Sequence, residues 1–155
     1  RGITLGVLTA DCVPIILYDK SQRMIGCIHA GWKGSIRGII EKTLKKFQRK
    51  DMKKNLIACV GPCIGKKSYE VSYDFKKKFI RENKKNNSLF LPKRDKFLFD
   101  LQGYVVKKLR NCGVSKVEVI NKDTYKDKKN FYSYRRSQKR REKDYGRCLS
   151  IIALI

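Results

Sequence analysis

Val13-Pro14-Ile15-Ile16-Leu17-Tyr18, then Asp19-Lys20-Ser21-Gln22, then Arg23-Met24-Ile25-Gly26-Cys27-Ile28-His29 is the stretch that decides the fold. Two short apolar runs flank a polar turn, the pattern of a β-hairpin. A four-residue loop over 19–22 pairs Tyr18 with Arg23 and sets Cys12 opposite His29. Directly opposed residues share a face, with Cβ atoms about 5 Å apart. The hairpin therefore brings a thiol beside the single imidazole of the chain. A slip of one residue would turn the two to opposite faces.

Outward from the hairpin, residues 5–10 read as a preceding strand. Gly31-Trp32-Lys33-Gly34 reads as a tight loop, and Ser35 as the N-cap of a helix whose buried face is Ile36, Ile39, Ile40, Leu44 and Phe47. Residues 56–60 form a strand that runs into Gly61-Pro62-Cys63-Ile64-Gly65, a turn suited to close backbone approach. The spacing predicts helices over 73–81 and 101–109, the second stopped at Gly113. A polar loop is expected over 83–88, strands over 97–99 and 116–120, and a charged loop over 121–130. Residues 131–134 and 148–155 are expected to pair as closing strands around the basic stretch 135–147, whose middle reads as a flexible insert. No repeat or linker divides the chain. The class is mixed α/β (α+β), a single domain over 1–155 with antiparallel hairpins flanked by helices.

The chain has 155 residues, 41% of them hydrophobic, which is enough for a packed core. No apolar run approaches the ~20 residues that span a bilayer, so no membrane role is expected. The chain opens on Arg1 rather than Met, and an upstream segment is expected. Lys and Arg number 38 against 14 Asp and Glu, a net charge of +24. Such a charge suits polyanions, but the lysines are scattered in short runs on the polar sides of helices and no nucleic-acid-binding motif accompanies them. A solvated basic surface is the better reading, with nucleic acid an unfavoured partner. The six cysteines include no Cys-x-x-Cys pair, and Cys27 and Cys59 sit in apolar runs where Cys acts as a small buried hydrophobe. A reduced, cytoplasmic protein fits best.

Cys12 and His29 suit two chemistries, a thiolate–imidazolium nucleophile pair or two ligands of a zinc ion. A catalytic zinc takes three protein ligands and keeps an open position, so this chain is one ligand short. Tyr132-Ser133-Tyr134-Arg135-Arg136, with Arg147 at a strand entry, interleaves aromatics with guanidinium groups that can hold phosphate or stack on a base. Gly61 to Gly65 lacks the lysine and spacing of a P-loop. A redox-copper centre would need more histidine than the one present.

Thr9-Ala10-Asp11-Cys12-Val13-Pro14, His29-Ala30-Gly31-Trp32-Lys33-Gly34, Gly61-Pro62-Cys63-Ile64-Gly65 with Tyr69-Glu70-Val71, and Ser133-Tyr134-Arg135-Arg136 with Gly146-Arg147 occur in the order of one family. Across essentially its whole length the chain resembles the YfiH-like, or laccase-domain, proteins, whose members are called polyphenol oxidase, purine nucleoside phosphorylase or peptidoglycan editing factor. The resemblance implies that Cys12 and His29 bind a metal, zinc before copper, with a third ligand from an upstream histidine. It implies phosphorolysis of adenosine, inosine and methylthioadenosine, with adenosine deamination as a second activity. Purine nucleosides and phosphate are then the partners. Lys33, Arg135, Arg136 and Arg147 are the expected phosphate cations, and Tyr69 and Glu70 the expected pocket lining. The chain departs from the family pattern at Lys33, usually Arg, at Asp123-Thr124-Tyr125, usually Cys-Thr-Tyr, and in a longer basic segment after Arg136. Two alternatives remain open: a metal-free Cys–His hydrolase, and a basic nucleic-acid-binding module without enzymatic activity.

Overall fold

Short, largely apolar runs build the central sheet. In the computed structural model, which describes residues 2–47 and 55–155, β2 (Val13–Asp19) lies between β3 (Met24–Ala30) and β4 (Leu56–Val60), antiparallel to both. β8 (Lys116–Val119) extends this sheet parallel to β4. One face carries Val13, Ile15, Leu17, Ile28, Ala30, Leu56, Ala58 and Val60, all buried. It packs under α2 (Ile39–Leu44) and α4 (Leu101–Asn111), which contribute Ile40, Leu44, Leu101, Val105 and Leu109 to the same core. Cys27 and Cys59 pair with Ile16 on the opposite face and are half-buried rather than buried.

The hairpin keeps its four-residue loop, displaced by one position. Asp19 pairs with Met24 and Tyr18 with Ile25, not with Arg23. The reason lies in the Asp19 carboxylate. It accepts from the Ser21 and Gln22 backbone N–H groups and both their side chains, which fixes Asp19 as the last paired residue. His29 therefore faces Pro14, and Cys12 stands before the strand, one pair beyond Val13 and Ala30. The shift moves both partners together, so Cys12 and His29 remain on one face, as diagonal neighbours.

Ser35 is not an N-cap. Helix α1 (Trp32–Ile36) begins at Trp32 with Gly31 as its N-cap, and Ser35 is buried inside it. The expected single helical face is broken at Gly38, whose φ of 83° separates α1 from α2. Ile40, Leu44 and Phe47 are buried nonetheless, with Ile36 and Ile39 packed beside them. The polar loop over 83–88 is a 3-10 turn, Lys84–Leu89, anchored by buried Asn86, whose amide donates to the Phe79 carbonyl and to Glu82.

A second sheet places the 69–71 segment. β5 (Glu70–Val71), β7 (Lys96–Phe99) and β6 (Phe90–Lys93) form an antiparallel sheet, of which only the β7 region was legible in the sequence. It packs on α3 (Tyr73–Glu82) through an aromatic cluster: Phe79 to Phe99 at 4.5 Å, Phe90 to Phe99 at 4.7 Å and Phe79 to Tyr104 at 4.9 Å between ring centroids. Each such pair contributes about 0.5–1.5 kcal/mol beyond area burial.

The expected pairing of 131–134 with 148–155 does not occur. β9 (Cys148–Ala153) pairs antiparallel with β1 (Thr4–Thr9), and Tyr134–Arg140 is a helix, α5, in the stretch expected to be a flexible insert. Ser133 caps α5 by accepting from the Arg136 N–H. Among the described residues no helix is long and apolar enough to cross a membrane.

Candidate functional site

The short link between β1 and β2 carries the chemistry. Asp11 takes φ 76°, in the left-handed region, and the chain turns so that Asp11 points inward and Cys12 faces Gly31. A Cβ placed on Gly31 would lie 2.8 Å from the Cys12 Sγ and 3.9 Å from the His29 Cδ2. Thiol and imidazole thus converge on one small space. Cys12 is half-buried and His29 is exposed at the end of β3. Burial, and then the neighbouring Asp11 charge, push the Cys12 thiol up to about 11. A reactive cysteine needs the opposite environment, a cationic one that favours thiolate.

Tyr69 and Arg135 belong to the same neighbourhood. Tyr69 is buried, and the Arg135 guanidinium lies 5.2 Å from its ring centroid. Burial raises the Tyr69 hydroxyl above its ordinary range, the Arg135 charge opposes this, and Cys12 and Asp11 add to it. Arg135 also donates from Nη1 to the Glu70 carbonyl at 2.7 Å. Cys12, His29, Tyr69 and Arg135 are therefore the sequence-nominated residues that the fold gathers.

The others are placed differently. Arg136 spends its guanidinium on the carbonyls of Thr124, Tyr125 and Phe131, a clamp across the 121–130 loop. The Glu70 side chain pairs with Lys93 at 2.9 Å and Lys96 at 3.1 Å on the second sheet, and only its backbone carbonyl reaches Arg135. Arg147 folds back on its own segment, donating to the Tyr145 carbonyl and lying 4.4 Å from the Tyr145 ring. The Lys33 ammonium sits 5.6 Å from the Trp32 ring, and Trp32 packs on Phe75 at 4.8 Å. A groove of about 600 Å³ lined by Lys128, Phe131, Tyr132, Arg140 and Tyr145 contains neither Cys12 nor His29. The convergence of side chains, not cavity size, marks the site.

The Lys93 and Lys96 hydrogen bonds hold the Glu70 carboxyl down at about 2. A depressed carboxyl adds stability above its ordinary range and loses it as pH falls. Glu70→Gln is expected to flatten the stability profile between about pH 4.5 and 2, by less than about 1 kcal/mol because the pair is partly exposed and screened. Acid unfolding of both proteins checks this.

Asp11, which the sequence offers only as part of the motif from Thr9 to Pro14, organises the link between β1 and β2. Its carboxylate accepts from the Thr124 hydroxyl at 2.7 Å, the Ser133 hydroxyl at 2.9 Å and the Arg135 N–H at 2.6 Å. Asp123 is a second organiser, taking the Gly65 N–H at 3.0 Å and the Ser68 hydroxyl at 2.6 Å. It fixes the turn after β4. Among the described residues no cluster of three or more His, Cys, Asp or Glu is arranged to hold a metal ion. The donors present, the Cys12 thiol and the His29 imidazole beside one space, are two of the three protein ligands that a catalytic zinc takes.

A family model described as multi-copper polyphenol oxidoreductase laccase matches residues 1–155. The chain belongs to this family. Among its curated laccase-family relatives, a purine nucleoside phosphorylase of Rickettsia conorii is 38% identical over 156 residues, covering 99% of this chain and 65% of the relative. Purine nucleoside phosphorylase YfiH of Escherichia coli strain K12 is 32% identical, covering 99% of this chain and 60% of the relative. The crystal structure of the Bacillus licheniformis hypothetical protein YfiH superposes with a TM-score of 0.86 at 30% identity, covering 98% of this chain and 58% of that one. The chain thus spans about three-fifths of the length of these relatives.

Proposed function

We propose that this chain is the larger part of a zinc-dependent purine nucleoside phosphorylase, acting on adenosine, inosine and methylthioadenosine, with adenosine deamination as a side activity. The observation that carries the reading is the convergence of Cys12 Sγ and His29 on the space beside Gly31, next to Tyr69 and Arg135. The curated names of relatives at 30–38% identity support the reaction class.

Cys12 and His29 would hold the zinc, with a third donor from outside residues 1–155. Zinc, when bound, supplies Lewis acidity and a cation that keeps the Cys12 sulfur deprotonated. The chain's own residues do the rest. Tyr69 walls the pocket on its buried side and gives Arg135 a face to stack on. Arg135 presents its unspent N–H groups to a phosphate oxygen, holding the nucleophile against the ribose. Arg136 keeps the 121–130 loop closed beside them. Six free cysteines suit a reducing compartment, in keeping with a cytoplasmic protein.

Incubation of the full-length protein with adenosine and phosphate tests the reaction class. Adenine with ribose 1-phosphate is the expected main product, and inosine the minor one. Formation of neither product by the metal-loaded protein would contradict the reading.

A further inference from the structure

We propose that Asp11 is a positioning residue that sets Arg135 beside Cys12 so that the arginine can receive an anionic substrate group. This rests on the phosphate-using reading above. Asp11 is 8% exposed and holds φ 76° without being glycine. Such a conformation persists where surrounding contacts over-determine it. Here there are four. The carboxylate takes the Thr124 and Ser133 hydroxyls and the Arg135 N–H, and the Asp11 carbonyl takes the Ile64 N–H at 3.0 Å.

The consequence for Arg135 is specific. Its backbone is fixed by Asp11, and its guanidinium by the Glu70 carbonyl and the Tyr69 ring. Arginine has five N–H donors in a rigid fork. Only Nη1 is engaged in a hydrogen bond among the described residues, which leaves the remainder of the fork for a ligand. Asp11 is also the residue before Cys12, so its side chain ties the start of the Arg135 helix to the link that carries the thiol.

A positioning role and a purely electrostatic one differ in sign. A carboxylate near an anion site repels the anion, so removing its charge alone would tighten phosphate binding. Loss of positioning weakens it. In Asp11→Asn one acceptor oxygen remains where the carboxylate had two: if it keeps the Ser133 hydroxyl and the Arg135 N–H, the Thr124 hydroxyl must reverse to accept, and all three bonds lose their charge assistance. The full-length Asp11→Asn protein is expected to bind inorganic phosphate roughly ten- to a hundredfold more weakly, the scale of an ångström-sized misplacement. Phosphate KM rises accordingly, adenosine KM stays within about twofold, and zinc content is unchanged.

The double-mutant cycle with Arg135→Gln decides the route. If Asp11 acts through Arg135, Asp11→Asn has no further effect on phosphate affinity in the Arg135→Gln background. Should Asp11→Asn not fold, Ser133→Ala with Thr124→Val carries the same cycle, with the same expectation. Equal or tighter phosphate binding by the Asp11 variant, or an undiminished effect in the Arg135→Gln background, overturns the proposal. Absence of phosphate binding by the unsubstituted protein overturns it too, and brings down the phosphate-using reading with it.

Discussion

Gly31→Ala in the full-length protein is expected to weaken zinc binding by more than about 100-fold, since even outer-shell partners of a metal ligand are typically worth 10–100-fold. Gly31 has φ −74°, which alanine adopts without strain. The whole effect therefore comes from the new methyl group. It would stand 2.8 Å from the Cys12 Sγ and 3.7 Å from its Cβ, inside contact distance, so the thiol must move. A displaced thiol would no longer share one space with the His29 imidazole, where the two residues would hold zinc. An equilibrium zinc titration with thermal unfolding alongside checks this. Normal zinc affinity in a folded Gly31→Ala protein would contradict the placement of Cys12.

Lys108→Ala is expected to cost roughly 2–4 kcal/mol, somewhat less than a fully buried broken pair. Lys108 on α4 is 13% exposed and donates to Glu41 on α2 at 2.6 Å and to Glu82 on α3 at 2.8 Å. Its removal leaves two carboxylates facing each other beneath three helices, beside the Tyr104 hydroxyl that also bonds Glu82. Burial by itself lowers the Lys108 ammonium, but the hydrogen bonds and charges of the two glutamates outweigh it and raise the group above its ordinary range. A raised lysine contributes stability below that range and loses it as pH rises through it. Denaturant midpoints of both proteins at pH 7 and above pH 10 check the size and the sign.

The two effects separate along the same line as the molecule. Lys108, Glu41 and Glu82 tie helices over the core and touch nothing at the Cys12 site. Gly31, Cys12 and His29 lie at the loop ends of β2 and β3, where a change alters chemistry more than stability. Functional side chains on loops held by a rigid sheet are a common arrangement.

This division explains what was legible in the sequence. β2, β3 and β4 were readable because residues 13–18, 24–28 and 56–60 are short, largely apolar runs set off by polar turns. Cys12 and His29 were found from the same pattern, and survive an incorrect register because the loop moved by one residue on both sides. What failed were the segments decided by distant partners. The local cue for a helix over Tyr134 to Arg140 is slight, Ser133 as N-cap to the Arg136 N–H; the rest comes from Asp11, more than 120 residues away, binding Ser133 and Arg135. β9 pairs with β1 across the length of the chain. Arg136 looked like a phosphate ligand by composition, and only the fold reveals the three carbonyls that occupy it.

Cys12 and His29 are proposed to hold one zinc ion between them. Metal analysis of the full-length protein by mass spectrometry, beside Cys12→Ala and His29→Ala, tests this most directly. One zinc per chain in the unsubstituted protein, lost in both folded variants, is the predicted result. Zinc retained in full by either variant, or no stoichiometric metal in the unsubstituted protein, would contradict it.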